Sequence, residues 1–272
     1  MSEQLPQLRS VRALLCDMPS ALLGFSGGVD SSVLAVLLRQ ELGKDRMLAV
    51  IGRSASYPDA QWETARGVAA RFDIPVHEIE THELDDAEYL ANPTNRCFFC
   101  KRELWSRLGA EAAARGLAVV CDGTIADDLR EHRPGRAAGL AAGVRSPLAE
   151  AGLTKTDVRA VARTLGLEIW DQPASPCLSS RVAYGVPITR GRLGQVESAE
   201  AYLRSLGITG DLRVRHDGAA ARIEVERAAI PWLEARESDI RERLLRLGFT
   251  AVAIDPRGYR RGGLLADLRG QG

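Results

Sequence analysis

Ala21-Leu22-Leu23-Gly24-Phe25-Ser26-Gly27-Gly28-Val29-Asp30-Ser31-Ser32 is the stretch on which the fold turns. Residues 21–25 form a short apolar run that predicts a buried strand, and Val33, Leu34, Leu37 and Leu38 then recur on one face of a helix. Between them, two glycines let the backbone turn tightly and come close to a ligand. The free N–H groups of a helix start point at an anion. Ser26, Ser31 and Ser32 add hydroxyl donors to such a site. Asp30 would repel a phosphate, so its chemistry suits a magnesium ion shared with phosphate oxygens. No lysine follows the second glycine, so this is not a Walker A loop. A bare Gly-Gly turn would be an ordinary helix cap, but this loop directly after an apolar strand reads as a phosphate cradle.

Working outward, Met47–Ile51, Val76–Ile79 and Leu117–Cys121 are further strand candidates, separated by helical patterns over Pro58–Phe72, Cys97–Arg115 and Thr154–Leu165. The last opens with a Thr-Lys-Thr-Asp capping signal. Strands alternating with helices predict an α/β fold, a doubly wound parallel sheet covered on both faces. The pattern changes near residue 180. Arg192–Leu206 and Pro231–Leu247 read as helices, Leu212–Arg215 and Ala221–Glu226 as strands joined at Asp217-Gly218, and Thr250–Ile254 as a last strand. This predicts two domains: residues 1–178, which hold the phosphate loop, and a smaller α+β domain of residues 179–272 for substrate binding or oligomerisation.

Of the 272 residues, 45% are hydrophobic and 26% charged, which argues against long disorder. Lys+Arg and Asp+Glu are both 36, so the basic excess of a general nucleic-acid binder is missing and an anion must be held by a local cluster. The longest apolar run, Val33–Leu38, is far too short for a membrane span. The polar Met1–Ser10 lacks the apolar core of a secretory signal, so a cytoplasmic chain is expected. In that compartment five cysteines do not suggest a disulfide framework.

Cys97 and Cys100, in Asn92-Pro93-Thr94-Asn95-Arg96-Cys97-Phe98-Phe99-Cys100-Lys101, share one helix face, and a helix start favours thiolates. A lone CxxC also suits a redox pair or half a zinc site, but the second CxxC that zinc would want is absent. Cys177 stands in the rigid loop Pro173-Ala174-Ser175-Pro176-Cys177-Leu178-Ser179-Ser180-Arg181. Cys16 and Cys121, in apolar surroundings, are expected simply to be buried. Arg213 and Arg215 alternate along a strand and so point to one face, where solvated charge is the ordinary reading. Glu200 on the 192–206 helix is ordinary taken alone.

The Ser26–Ser32 loop resembles the PP-loop of the ATP pyrophosphatases. That resemblance implies a HUP-type sheet with ATP and magnesium at the carboxyl ends of its strands, adenylylation of a carbonyl or carboxylate oxygen, and release of pyrophosphate. The loop joins NPTNRCFFCK, Asp122-Gly123-Thr124 with Asp127-Asp128 and Arg133-Pro134-Gly135, then ASPCLSSR and RVRHDGAAARIEVE. Together these segments resemble the LarE family over nearly the whole chain. LarE-type proteins are PP-loop sulfur transferases that mature a nickel-pincer nucleotide, the cofactor of lactate racemase. They adenylylate a carboxylate of pyridinium-3,5-biscarboxylic acid mononucleotide and replace oxygen by sulfur.

On this resemblance, Ser26, Gly27, Gly28, Val29, Asp30, Ser31, Ser32, Asp122, Gly123 and Thr124 hold the nucleotide, and Asp30 and Cys177 are catalytic. Arg181, Arg213 and Arg215 receive the substrate phosphate, and Glu200 is an acidic neighbour linked to metal or substrate. Some family members sacrifice the sulfur of a single cysteine. Cys97, Cys100 and Cys177 instead match members that hold a [4Fe–4S] cluster, whose open iron takes sulfide from a sulfide or persulfide donor. A small-molecule substrate, a homo-oligomer, and no nucleic-acid or membrane partner are expected. The alternatives are a tRNA thiolation enzyme, a non-catalytic ATP-binding module, and a structural iron–sulfur or zinc protein.

Overall fold

The computed structural model describes residues 6–130, 134–173 and 175–269; Arg133 and Ala174 of the motifs above lie outside them. In chain order the elements are α1 (Pro6–Cys16), β1 (Ala21–Gly24), α2 (Val29–Leu42), β2 (Met47–Arg53), α3 (Asp59–Arg71), β3 (Val76–Glu80), α4 (Ala87–Leu90), α5 (Arg96–Ala114), β4 (Val119–Cys121), α6 (Pro134–Ala141), α7 (Pro147–Glu150) and α8 (Lys155–Thr164). They continue with α9 (Arg190–Ser205), β5 (Leu212–His216), β6 (Ala220–Val225), α10 (Ile230–Glu234), α11 (Glu237–Arg246), β7 (Ala251–Ile254) and α12 (Gly263–Arg269). The chain divides into two compact units, residues 1–83 with 95–175 and residues 84–94 with 176–272.

The first unit is the doubly wound parallel sheet read from the sequence. Its strand order is β3-β2-β1-β4, and every pairing is parallel. Parallel strands covered on both faces need apolar residues throughout. Ala21, Leu22 and Leu23 accordingly have no exposed surface. Burying a Leu or Val side chain contributes about 1.5–3 kcal/mol, and Val33, Leu34, Leu37 and Leu38 of α2 are fully buried beside Leu15, Ile51 and Leu148. Thr154 and Asp157 cap α8 reciprocally, with Thr154 N–H donating to Asp157 Oδ2 at 2.9 Å and Asp157 N–H to Thr154 Oγ1 at 3.3 Å. The order reverses at β1: β2 and β3 build outward on one side and β4 on the other. The crevice at such a reversal is where ligands of open α/β sheets bind.

The second unit has a three-stranded sheet, order β5-β6-β7, antiparallel at β5–β6 and parallel at β6–β7. The turn expected at Asp217-Gly218 is present, with Gly218 at φ 90° and Asp217 N–H donating to Ala220 O at 3.0 Å. Leu212, Val214, Ala221, Ile223 and Val225 form a core with Leu203, Leu233, Ile240 and Leu244. The single helix expected over Pro231–Leu247 is two, α10 and α11. Arg236, at φ −121° and ψ 13°, leaves the helical path, and each short helix turns its own apolar pair to the core.

Candidate functional sites

The first site grows from the end of β1. Gly27 has φ 69°, and a Cβ there would stand 2.7 Å from Ala65 Cβ, so α3 packs directly on the loop and only glycine fits. A Cβ on Gly28 would meet only Ser26 Oγ, at 3.6 Å, which leaves that face of the loop open for a ligand to approach. Ser32 N–H donates to Gly28 O at 2.9 Å as α2 begins, and the N–H groups of Val29, Asp30 and Ser31 are the donors that a helix start leaves over. Ser26 Oγ and Ser31 Oγ lie 3.0 Å apart, and Ser31 Oγ donates to Gly28 O at 3.1 Å. Ser32 is fully buried, with no hydrogen-bond partner for Oγ among the described residues. Open backbone, helix-start amides and hydroxyls together fit a polyphosphate.

Asp30 does not face this cradle unattended. Lys155, the first residue of α8, places Nζ 2.7 and 2.9 Å from its two carboxylate oxygens. The Lys155 backbone is itself fixed, donating N–H to Asp127 Oδ2 at 2.7 Å. Sequence reading missed Lys155 because the pair spans 125 residues. The only signal was a lysine just inside the capping box.

Asp122, Gly123 and Thr124 follow β4, across the sheet reversal from the loop. A Cβ on Gly123 would lie 2.7 Å from Ser31 N, so this glycine lets the two strand ends meet. Asp122 accepts from Thr124 N–H at 3.0 Å, Thr124 Oγ1 at 2.8 Å and Ser146 Oγ at 2.7 Å. Asp128 accepts from Ile125 N–H at 3.1 Å. The acidic residues of this segment therefore shape the loop beside the cradle.

None of the five cysteines is in a disulfide. Cys121 is buried as expected, and burial pushes its thiol pKa far up. Cys16, expected to be buried, is exposed at the end of α1, where its Sγ donates to Glu41 Oε2 at 3.0 Å. The apolar residues around it in sequence face the core while Cys16 falls on the outer side of an amphipathic helix. Cys97 lies in the first turn of α5 and Cys100 one turn on, exposed and half-buried respectively. Cys177 is half-buried. Three accessible thiols, two of them near a helix start, are suitable thiolate donors. Among the described residues no group of three or more His, Cys, Asp or Glu is gathered as a metal site; Cys97 and Cys100 belong to the first unit and Cys177 to the second.

The second unit gathers Cys177, Arg181, Glu200, Arg213 and Arg215. Cys177 precedes a single 3-10 turn, Leu178–Arg181. Arg213 and Arg215 do share a strand face, but it is not solvated: they are 4% and 5% exposed. Arg215 holds Glu224 with Nε at 2.9 Å and Nη2 at 2.8 Å, and donates Nη1 to Ser180 O at 3.0 Å. Arg213 lies over the Tyr259 ring at 5.1 Å, and burial together with Arg181 lowers its pKa. Arg222 continues the charged face, bound to Asp217, Glu224, Asp255 and Asp267. Arg181 pairs with Glu200 at 3.0 Å, and Glu200 also accepts from Val214 N–H at 3.0 Å.

No helix among the described residues is long and apolar enough to cross a membrane. The NAD synthase family model matches residues 12–108, which include the phosphate loop. The chain is similar to an uncharacterized protein of Synechocystis sp., 39% identical and covering 95% of this chain and 96% of the relative. It is similar to the pyridinium-3,5-bisthiocarboxylic acid mononucleotide synthase of Lactiplantibacillus plantarum, 37% identical over 92% of this chain and 90% of that one. A glutamine-hydrolyzing GMP synthase of Streptococcus pyogenes is 28% identical over 67% of this chain but only 38% of its own length.

Proposed function

The chain belongs to the LarE family of ATP-dependent, PP-loop sulfur transferases, and from that membership we propose that it converts pyridinium-3,5-biscarboxylic acid mononucleotide to its thiocarboxylate. The observation that carries this reading is the open Ser26–Ser32 cradle in a chain that matches a bisthiocarboxylic acid mononucleotide synthase over 92% of its length. A carboxylate is a poor electrophile. Its oxygen attacks the α-phosphorus of ATP, pyrophosphate leaves, and the carboxyl carbon becomes an acyl adenylate. A sulfur nucleophile then attacks that carbon and AMP departs with the original oxygen.

In this reading the loop amides and the Ser26 and Ser31 hydroxyls hold the polyphosphate. Asp30 takes a magnesium ion that travels with ATP, and Lys155 supplies the countercharge before nucleotide arrives. Asp122–Thr124 line the nucleotide side of the crevice. Arg213 binds the phosphate of the substrate, as a guanidinium group suits it, with Arg215 held beside it on the same strand face by Glu224. Cys177 is the sulfur-handling cysteine. Cys97, Cys100 and Cys177 would hold a [4Fe–4S] cluster, and such a cluster would supply sulfide for the transfer. The donor is a sulfide or persulfide, and the protein acts in the cytoplasm as a homo-oligomer.

The test is anaerobic purification with iron and sulfide analysis, followed by turnover with ATP and the mononucleotide. AMP and pyrophosphate, several thiocarboxylates per chain, and loss of iron on replacing any one of the three cysteines are expected. Conversion of Cys177 to dehydroalanine after a single event, with Cys97→Ser still active, would mean that Cys177 is sacrificed. ADP as product would overturn the assignment altogether.

A further inference from the structure

Arg181 is 2% exposed, yet every face of its guanidinium is occupied. Nε and Nη2 grip the two oxygens of Glu200 at 3.0 and 3.1 Å, fork against carboxylate. Nη1 points the other way and donates to Pro176 O, to Cys177 O at 3.1 Å and to Ser180 Oγ at 3.3 Å. The carbonyls of Pro176 and Cys177 belong to the two peptide planes on either side of the Cys177 Cα. One guanidinium thus fixes both planes, with Cys177 at φ −56° and ψ 152°. Rotation about χ1 is then the main freedom left to the thiol. Glu200 ties the bracket to α9, where it resides, and to β5, through the Val214 N–H at 3.0 Å.

We propose that Arg181, held by Glu200, is a positioning residue that sets the backbone of Cys177 for sulfur transfer and does not receive the substrate phosphate. The proposal rests on the sulfur-transfer reading of Cys177. A phosphate reaching Arg181 would have to displace a two-pronged carboxylate inside a buried site, beside the negative charge it displaced. Removing the donors to Pro176 and Cys177 would free the turn instead. A misplacement of about 1 Å costs about 100-fold in a step that needs aligned atoms, whereas adenylylation at the phosphate loop does not call on this turn.

The deciding variant is Arg181→Lys, which keeps the charge and loses the planar fork. Thermal unfolding, pyrophosphate release with ATP and mononucleotide, thiocarboxylate formation in a single turnover, and iodoacetamide labelling of Cys177 in cluster-free protein are measured together. We expect a folded protein with an unchanged mononucleotide KM and pyrophosphate burst. Thiocarboxylate formation should slow by about tenfold or more. Cys177 should alkylate several-fold faster, while exposed Cys16 reacts as in wild type. A KM raised about tenfold or more, the loss expected for one charge-assisted bond, with Cys177 labelling unchanged would make Arg181 a phosphate ligand and overturn the proposal. So would equal loss of both half-reactions with a lowered Tm, the mark of a purely structural role. Should Arg181→Lys fail to fold, Glu200→Gln is read by the same measurements. Wild-type protein that releases no pyrophosphate defeats the sulfur-transferase reading instead, whatever the variants do.

Discussion

Gly123→Ala isolates the meeting of the two strand ends. The added Cβ would stand 2.7 Å from Ser31 N, 2.9 Å from Ser31 Cα and 3.1 Å from Asp30 C. All three are main-chain atoms, so no side chain can swing aside. Gly123 is absent from the residues with positive φ, so alanine meets no torsional objection and the effect is one of packing. Restoring ordinary contact requires a shift of about 0.7 Å. Such overpacking costs about 1–3 kcal/mol. Because α2 is buried along most of its length, the strain falls on Asp30 and Ser31, whose N–H groups are among the donors left over at the helix start. If the loop carries the cost, nucleotide affinity falls by about 5- to 150-fold. If the fold carries it, Tm drops by a few degrees. Calorimetric titration with a non-hydrolysable ATP analogue and magnesium, beside a thermal melt, separates the two. Gly67→Ala is the control: nothing lies within 4 Å of its Cβ position on α3, so affinity should hold and Tm rise slightly. Wild-type affinity and Tm in Gly123→Ala would refute the claim that β4 buttresses the loop.

Asp30→Asn should abolish most pyrophosphate release with little change in Tm, since the partly exposed Asp30–Lys155 pair contributes only about 0–1 kcal/mol; undiminished release would remove Asp30 from the reaction. His216 is 2% exposed, and burial, aided by Arg192, lowers its pKa. The unfolded ring takes up a proton near pH 6.5 while the folded ring stays neutral to lower pH, so stability should fall as pH drops through about 6.5 towards 5. His216→Phe should flatten that slope, and an unchanged slope would exclude the histidine as its cause. Asp255, held low mainly by Arg257 and also by Arg222, contributes stability that is present above about pH 3.8 and is lost only below it. In native cluster-free protein Cys16 and Cys97 should alkylate readily and Cys121 only after unfolding; peptide mass mapping reads this directly, and early labelling of Cys121 would contradict its burial.

What could be read from the sequence was local. The apolar run before Ser26 announces β1, the glycines announce the turn, and Thr154 with Asp157 announces α8, because each signal sits within a few residues of its effect. The Asp217-Gly218 turn pairs the two strands it separates. The break at Arg236 left no such mark, since alanine and arginine are both good helix formers and nothing in Leu233-Glu234-Ala235-Arg236 disfavours a continuous helix. The transfer of residues 84–94 to the second unit was equally silent, because it depends on what they touch: Asn92 Nδ2 donates to Ala183 O at 2.7 Å and Val186 O at 2.9 Å.

The arginines show why the rest stayed hidden. Alternation in Leu212-Arg213-Val214-Arg215 correctly says that two arginines share a face, and solvation is the usual fate of such a face. Alternation does not say what covers it. Here the cover is the Cys177 turn, through Ser180 O on Arg215, and the segment after β7, through Tyr259 over Arg213 and Asp267 on Arg222. Burying several guanidinium groups is tolerable only if carboxylates come with them. Glu224 meets Arg215 from the adjacent strand, and Glu200 meets Arg181 from α9. Neither pairing is visible in one dimension, where Glu200 looks like any helix-surface glutamate. Glu200→Ala would therefore remove more than one ion pair: it would leave Arg181 charged and buried without its counterion, and it would release the turn that carries Cys177.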